Sequence, residues 1–295
     1  MNGVLLVNKP KEFTSFDVVA VVRRLSGQRK IGHTGTLDPN ATGVLPLLLG
    51  NATKAQDIIP NHDKEYVADF KLGLTSDTLD IWGKILTEQK TSVTPGELEN
   101  VLKKFRGEVN QIPPMYSAVS VNGQRLYDLA RKGIEVERKS RKITIYELEL
   151  LNFSEENQSG MLRVKCSRGT YIRTLIDDIG KALGTGAIMT ALDRTSACGF
   201  SKENCISLDE IKNLAEKGGL EEKLLNTESL FEKHKVLYVS DAQAQRFFNG
   251  GELDKTRTAL RKTDHNDGDI FRIKGEKFVG LGIVKGDSIK IYKHF

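Results

Sequence analysis

The sequence predicts an α+β fold built on a mixed sheet, with a larger domain over residues 1–234 and a small β-rich domain over 235–295. Three observations carry this expectation. Half-buried strand patterns and amphipathic helix patterns alternate up to about residue 234. Beyond residue 235 the pattern changes to one short helix and then strand-length runs separated by turns. A chain of 295 residues, 39% hydrophobic and 28% charged, has the size and balance of about two globular domains.

Gly3 to Val7 reads as a short buried strand, and Ser15 to Leu25 as a helix with Ser15 as N-cap and Gly27 just past its end. Residues 28–43 contain Gly32, Gly35, Pro39 and Gly43, too many breakers for a regular element, and are expected to form a loop of functional kind. From Lys64 to Gly73, Tyr66, Ala68, Phe70 and Leu72 alternate with mainly polar neighbours, the period of a half-buried strand. Leu162, Val164 and Cys166 mark a second such strand. After Gly169, the positions Ile172, Leu175, Ile176, Ile179 and Leu183 form the apolar stripe of a helix. Leu208, Ile211 and Leu214 mark another helix, and Asn266 to Asp269 reads as a hairpin turn in the last domain.

Composition narrows the functional classes. The odd number of cysteines (Cys166, Cys198, Cys205), without paired spacing, suggests reduced packing thiols. The N-terminal apolar run is too short for a leader or a bilayer span, and the longest run elsewhere, Val44 to Leu49, contains Pro46. A cytoplasmic protein without a membrane partner is expected. The net charge is +5, but it is unevenly placed. Residues 122–142 carry seven basic side chains (Arg125, Arg131, Lys132, Arg138, Lys139, Arg141, Lys142) against three acidic, and residues 235–295 carry twelve against eight. Residues 203–232 hold eight acids and three bases. Two basic surfaces separated by an acidic one suit an oriented polyanion, although a solvated face explains any single charge run equally well.

Several motifs come to nothing. The run from Gly27 to Thr34 resembles a phosphate loop, but His33 stands where the phosphate-binding lysine belongs, and a helix rather than a strand precedes it. Gly280 and Gly282 lack a third glycine, and residues 264–269 misplace the glycine of a calcium loop. The five histidines show no ligand spacing, so no metal is expected. Two features remain. Asp38, before Pro39, reads by itself as an Asx turn or a loop cap. Arg173 falls in the first turn of the helix that begins at Ile172, against the macrodipole by about 0.3–1 kcal/mol, either reaching water or fixed to hold a carboxylate ionised.

Five segments occur together and in order: Gly3 to Pro10, Gly32 to Gly43 around Asp38-Pro39, Lys64-Glu65-Tyr66, Gln111 to Ala118, and Gly169 to Arg173. In this the chain resembles the bacterial tRNA pseudouridine-55 synthases, the TruB family, over nearly its whole length. Asn8 stands where many members have aspartate, and Trp82 where a small or acidic residue is usual. The resemblance implies isomerisation of one uridine in the T-loop of tRNA, without a cofactor. It implies that Asp38 is the nucleophile, at C1′ of the sugar or C6 of the base, that Tyr66 lies against the uracil and takes part in proton removal from C5, and that Arg173 pairs with the aspartate. It further implies that His33 helps hold the loop with its base extruded, that Lys9, Pro10, Tyr171 and Leu192 line the pocket, and that the C-terminal domain is PUA-like and binds RNA.

These residue types suit the chemistry. A carboxylate nucleophile acts only when ionised, which burial under an anionic RNA opposes and a nearby guanidinium favours. Extruding a stacked base costs about a few kcal/mol, which an aromatic platform and polar loop contacts can offset. Alone, Tyr66 reads as a core residue and His33 as structural. The expected protein is a monomer acting on the T-arm of tRNA with no protein partner. The competing readings are a tRNA-binding or folding module without turnover and a guide-dependent synthase.

Overall fold

The computed structural model describes residues 1–121 and 123–295; Asn122, the first residue of the basic segment, lies outside the described residues. The chain runs β1 (Gly3–Lys9), α1 (Ser15–Ser26), β2 (Ile31–His33), β3 (Thr42–Leu49), β4 (Lys64–Leu72), the hairpin β5 (Leu74–Ser76) and β6 (Ile85–Glu88), and α2 (Pro95–Leu102). It continues through β7 (Gly107–Gln111), the short pair β8 (Ser120–Val121) and β9 (Gln124–Arg125), α3 (Leu126–Arg131), β10 (Arg141–Ser154) and β11 (Ser159–Cys166). Next come α4 (Ile172–Leu183), β12 (Ala187–Ala197), β13 (Phe200–Ser201) and α5 (Leu208–Glu216). The last part holds β14 (Val236–Tyr238), α6 (Asp241–Phe248), β15 (Leu253–Asp254), β16 (Ile270–Lys274), β17 (Phe278–Lys285) and β18 (Ser288–His294).

The main sheet has the order β1-β3-β12-β4-β11-β10-β7, with β2 also on β3 and β13 on β12. Its pairings are antiparallel except β3 with β12, which meet in parallel at Asp193↔Thr42 and Arg194↔Gly43. Gly43 is required at that junction: its φ is +104°, and a Cβ would lie 2.2 Å from the Arg194 carbonyl oxygen. The amphipathic helix α4 packs Ile172, Leu175, Ile176 and Ile179 into the core formed with β4 and β11. At about 1.5–3 kcal/mol for each fully buried aliphatic side chain, this stripe fixes the helix and with it Arg173.

Three local expectations are corrected. The cap of α1 is Thr14, which accepts from the Asp17 amide in a capping box, while Ser15 is buried and bonds elsewhere. Residues 31–33 are not loop but β2, because pairing with Leu47–Leu49 and burial of Ile31 outweigh the neighbouring breakers. The turn at 266–269 joins no hairpin: it leads into β16, with the Gly268 amide donating to Val284.

The second sheet, β14-β16-β17-β18-β15, encloses its own core of Leu237, Phe247, Phe271, Ile273 and Ile289. A further cluster joins the two sheets. Val4, Leu6 and Leu48 from the main sheet pack with Phe231 and with Leu281 of β17. No described helix is long and apolar enough to cross a membrane.

Candidate active site

The loop between β2 and β3 carries Asp38, and three side chains grip its backbone. Arg194 on β12, fully buried, donates from Nε to the Val44 carbonyl at 2.7 Å, from Nη2 to Gly35 at 3.1 Å and from Nη1 to Thr36 at 3.4 Å. Lys9, at the end of β1 and also fully buried, donates from Nζ to Pro39 at 3.0 Å, and to Pro10 and Phe13. The Ser15 hydroxyl accepts from the Leu37 amide at 2.8 Å. A loop so rich in breakers is thus fixed through its backbone, by donors to the carbonyls of Gly35, Thr36 and Pro39 and by an acceptor for the Leu37 amide.

The side chain of Asp38 faces out of this clamp and meets Arg173. The guanidinium reaches it with Nε 3.1 Å from Oδ2 and Nη2 3.4 Å from Oδ1, a two-point contact that fixes the carboxylate plane. Arg173 is 8% exposed and Asp38 42%, so the cation is enclosed while the anion opens to the cleft. The rest of the guanidinium is held by the carbonyls of Thr78 at 3.0 Å and Tyr116 at 2.8 Å, and by Asp80 Oδ2 at 3.6 Å. Its unfavourable place at the N-terminus of α4 is thereby offset by two carboxylates. Asp80 is itself buried, which pushes its carboxyl upward; bonds from Thr78 Oγ1 at 2.6 Å and from the Trp82 amide at 3.2 Å, together with Arg173, oppose that shift.

Beside Asp38 opens a cleft of about 250 Å³, lined by Lys64, Tyr66, Tyr116, Tyr171, Arg173 and Leu192 among others. Tyr66 and Arg194 are direct cross-strand partners on β4 and β12, so their side chains leave the sheet on one face, and Leu192 joins them two residues away. Burial pushes the Tyr66 phenol up to about 12, opposed chiefly by the charge of Arg194. Lys64 is pushed below its ordinary value by burial and then by Arg194. Burial also lowers Lys9, to about 8, with Asp38 as the main opposing charge. Gln111 pins the cleft wall, accepting from the Tyr171 amide at 2.8 Å and donating to its carbonyl at 3.0 Å.

Of the residues predicted from sequence, Asp38, Tyr66, Arg173, Tyr171 and Leu192 come together around one cleft. Lys9 and Pro10 do not line it, which corrects that expectation: Lys9 stands behind the loop with its ammonium enclosed by carbonyls, and Pro10 supplies one of them. His33 lies in β2, half-buried, and burial lowers its imidazole below the usual range. Sequence reasoning does not assign Arg194, Asp80 or Ser15 to the site. Nothing in local sequence marks Arg194 or Ser15, since their partners are backbone groups far along the chain.

Residues 23–172 match the TruB family pseudouridylate synthase (N terminal domain), and residues 173–232 match the tRNA pseudouridylate synthase B C-terminal domain. The chain is 46% identical over 295 residues to the tRNA pseudouridine synthase B of Clostridium tetani, covering 99% of both chains. It is 42% identical over 291 residues to that of Azoarcus sp., covering 98% of this chain and 93% of the relative. Among solved structures it is similar to a Cbf5-Nop10-Gar1 complex, with a TM-score of 0.75 and 28% identity, covering 99% of this chain and 84% of the other. It is also similar to an H/ACA RNP bound to a substrate RNA containing 2′-deoxyuridine, with a TM-score of 0.74 and 26% identity, covering 99% and 84%. The chain belongs to the TruB family of pseudouridylate synthases.

Proposed function

We propose that this chain isomerises uridine 55 in the T-loop of tRNA to pseudouridine, acting alone and without a guide RNA. The observation that carries the reading is a solvent-facing carboxylate, Asp38, fixed by a buried guanidinium beside a cleft of about 250 Å³ that Tyr66 and Leu192 also line. In the reaction the C1′–N1 bond breaks and a C1′–C5 bond forms; C5 loses its proton and N1 gains one, so nothing is oxidised and no group leaves. Asp38 supplies the nucleophile, at C1′ or C6, and Arg173 orients it. Tyr66 and Leu192 flank the base. Held as a phenol at neutral pH, Tyr66 can take the C5 proton only as its own proton leaves, and that step is favoured beside Arg194. His33, Lys9 and Pro10 act by holding the loop against the extruded nucleotide.

For the RNA surface we take residues 1–234 as the catalytic domain and 235–295 as a PUA-like RNA-binding domain. The basic segment 122–142 is an insert leading from the cleft wall at Tyr116–Ala118. Its cations are largely exposed, and Arg125 and Arg131 flank the Tyr127 ring at 5.9 and 5.6 Å, an arrangement suited to phosphate and base contacts. The reading includes a cytoplasmic monomer needing no protein partner. The Cbf5 complexes raise the guide-dependent alternative, and the higher identity to the synthase B relatives supports the stand-alone one.

Tritium release from C5-labelled uridine in a tRNA transcript, with no guide RNA or other protein, tests this function. Release at a single T-loop position is expected; bound RNA without release would leave only a binding module. Affinity should also fall steeply with salt, and a binding constant indifferent to ionic strength would exclude the basic surfaces named above.

A further inference from the structure

The loop between β5 and β6 and the start of β6 leave large apolar side chains in water: Ile81 and Trp82 of the loop and Ile85 and Leu86 of the strand are 39, 41, 39 and 59% exposed. Four such residues within six positions form a surface that a soluble chain ordinarily covers or uses. Trp82 differs from the other three in two respects. The ammonium of Lys11 stands over its ring, 5.7 Å from the centroid. Its backbone amide donates to Asp80, which touches Arg173, which holds Asp38.

Lys11 comes from the turn after Lys9, the residue that grips Pro39 beside Asp38. Two segments, one gripping Pro39 through Lys9 and the other joined to Asp38 through Asp80 and Arg173, therefore meet at the Trp82 ring, just outside the lining of the cleft. A cation and an indole joined in this way suit one chemical partner well. The ring offers a stacking surface to any nucleobase, and the ammonium offers a charge to the phosphate linked to that base. Lys11 is exposed on a flexible stem, so it can yield part of the ring and follow the phosphate.

We propose that Trp82, with Lys11, is a stacking platform for an unpaired RNA base adjoining the extruded uridine. The inference rests on the function proposed above and adds to it a residue that helps select and seat the substrate. Extruding the target uridine leaves its neighbours without a stacking partner on one side, and the Trp82 indole replaces that contact. Trp82 is a positioning residue here, since it does not reach the reacting atoms.

Trp82 is the sole tryptophan of the chain, so intrinsic fluorescence reports on this site alone. The test uses the full chain as Asp38→Asn, titrated with a T-arm RNA, with binding followed independently by filter retention. Quenching of Trp82 emission in step with retention is expected, with weaker quenching by RNA carrying an abasic site next to the target. In the otherwise native enzyme, Trp82→Ala should raise KM about tenfold with kcat nearly unchanged, Trp82→Phe should restore most of the loss, and Lys11→Gln should reduce the salt slope by about one. Emission unchanged at full retention would overturn the proposal, as would equal quenching by abasic RNA or a native KM in Trp82→Ala. Any of these can occur while the native enzyme still releases tritium. Failure of the platform is therefore distinct from failure of the proposed function, in which no tritium would be released at all.

Discussion

Two buried guanidinium groups hold the loop that carries Asp38, and they face different partners. Arg173 meets carboxylates, Asp38 and Asp80, along with two carbonyls. Arg194 meets the carbonyls of Gly35, Thr36 and Val44, and among the described residues no carboxylate pairs with it. The first arrangement places an electrostatic field where a nucleophile works. The second shapes a loop and leaves its positive charge beside Tyr66, with no carboxylate partner among the described residues. A buried cation satisfied by dipoles alone is costly unless the fold needs all of its donors, so Arg194 should matter to stability first and Arg173 to turnover first.

Replacing each arginine by methionine separates these roles. Arg173→Met should lower kcat about a thousandfold, read by tritium release, because the carboxylate loses its orienting charge. The same change strands Asp80, so stability should also fall. The double variant Arg173→Met with Asp80→Asn should recover much of that stability in a denaturant titration while turnover stays lost. Arg194→Met should cost about 2–4 kcal/mol of folding free energy, since it leaves carbonyls unpaired, with a smaller fall in kcat of about a hundredfold. If Arg194→Met instead matched Arg173→Met in rate while retaining native stability, the division between field and scaffold would be wrong.

Tyr66→Phe removes only a hydroxyl and tests the link between the two sides. We expect kcat to drop about a hundredfold with RNA binding and thermal midpoint unchanged, as single-turnover and melting experiments would show. The smallest effect concerns Lys9. Its folded value is lowered from 10.5 to about 8, so between those pH values the unfolded state holds more protons than the folded one. The burial penalty of Lys9 is then present in full below about pH 8 and is relieved as pH rises toward 10.5. Relative to Lys9→Met, the native chain should gain stability across that window, by no more than about 1.4 kcal/mol per pH unit in paired denaturation curves. A difference that stays flat would mean that Lys9 is not desolvated.

How far the sequence reveals this arrangement depends on what each residue touches. The stripe of α4 and the alternation of β4 and β11 are legible because one side of each element meets the core, and periodicity records that directly. Asp38, Tyr66 and Arg173 are legible only jointly, through ordered segments that resemble a family. Arg194 and Lys9 escape as clamps because a side chain that bonds to distant carbonyls places no demand on the identity of its partner. The strand at Ile31–His33 escapes because its pairing lies with β3, across a loop whose glycines point the other way. Thr14 and Ser15 are equivalent as caps on paper, and only the need of the Leu37 amide for an acceptor decides between them.

The cluster of Val4, Leu6, Leu48, Phe231 and Leu281 ties the C-terminal sheet to the back of the strands that frame the site. Heat or denaturant should therefore melt both halves in a single cooperative transition. A polypeptide cut off after residue 234 would strip Leu281 and its neighbours from Val4, Leu6, Leu48 and Phe231, and its failure to accumulate in soluble form would say nothing about whether the missing part touches RNA.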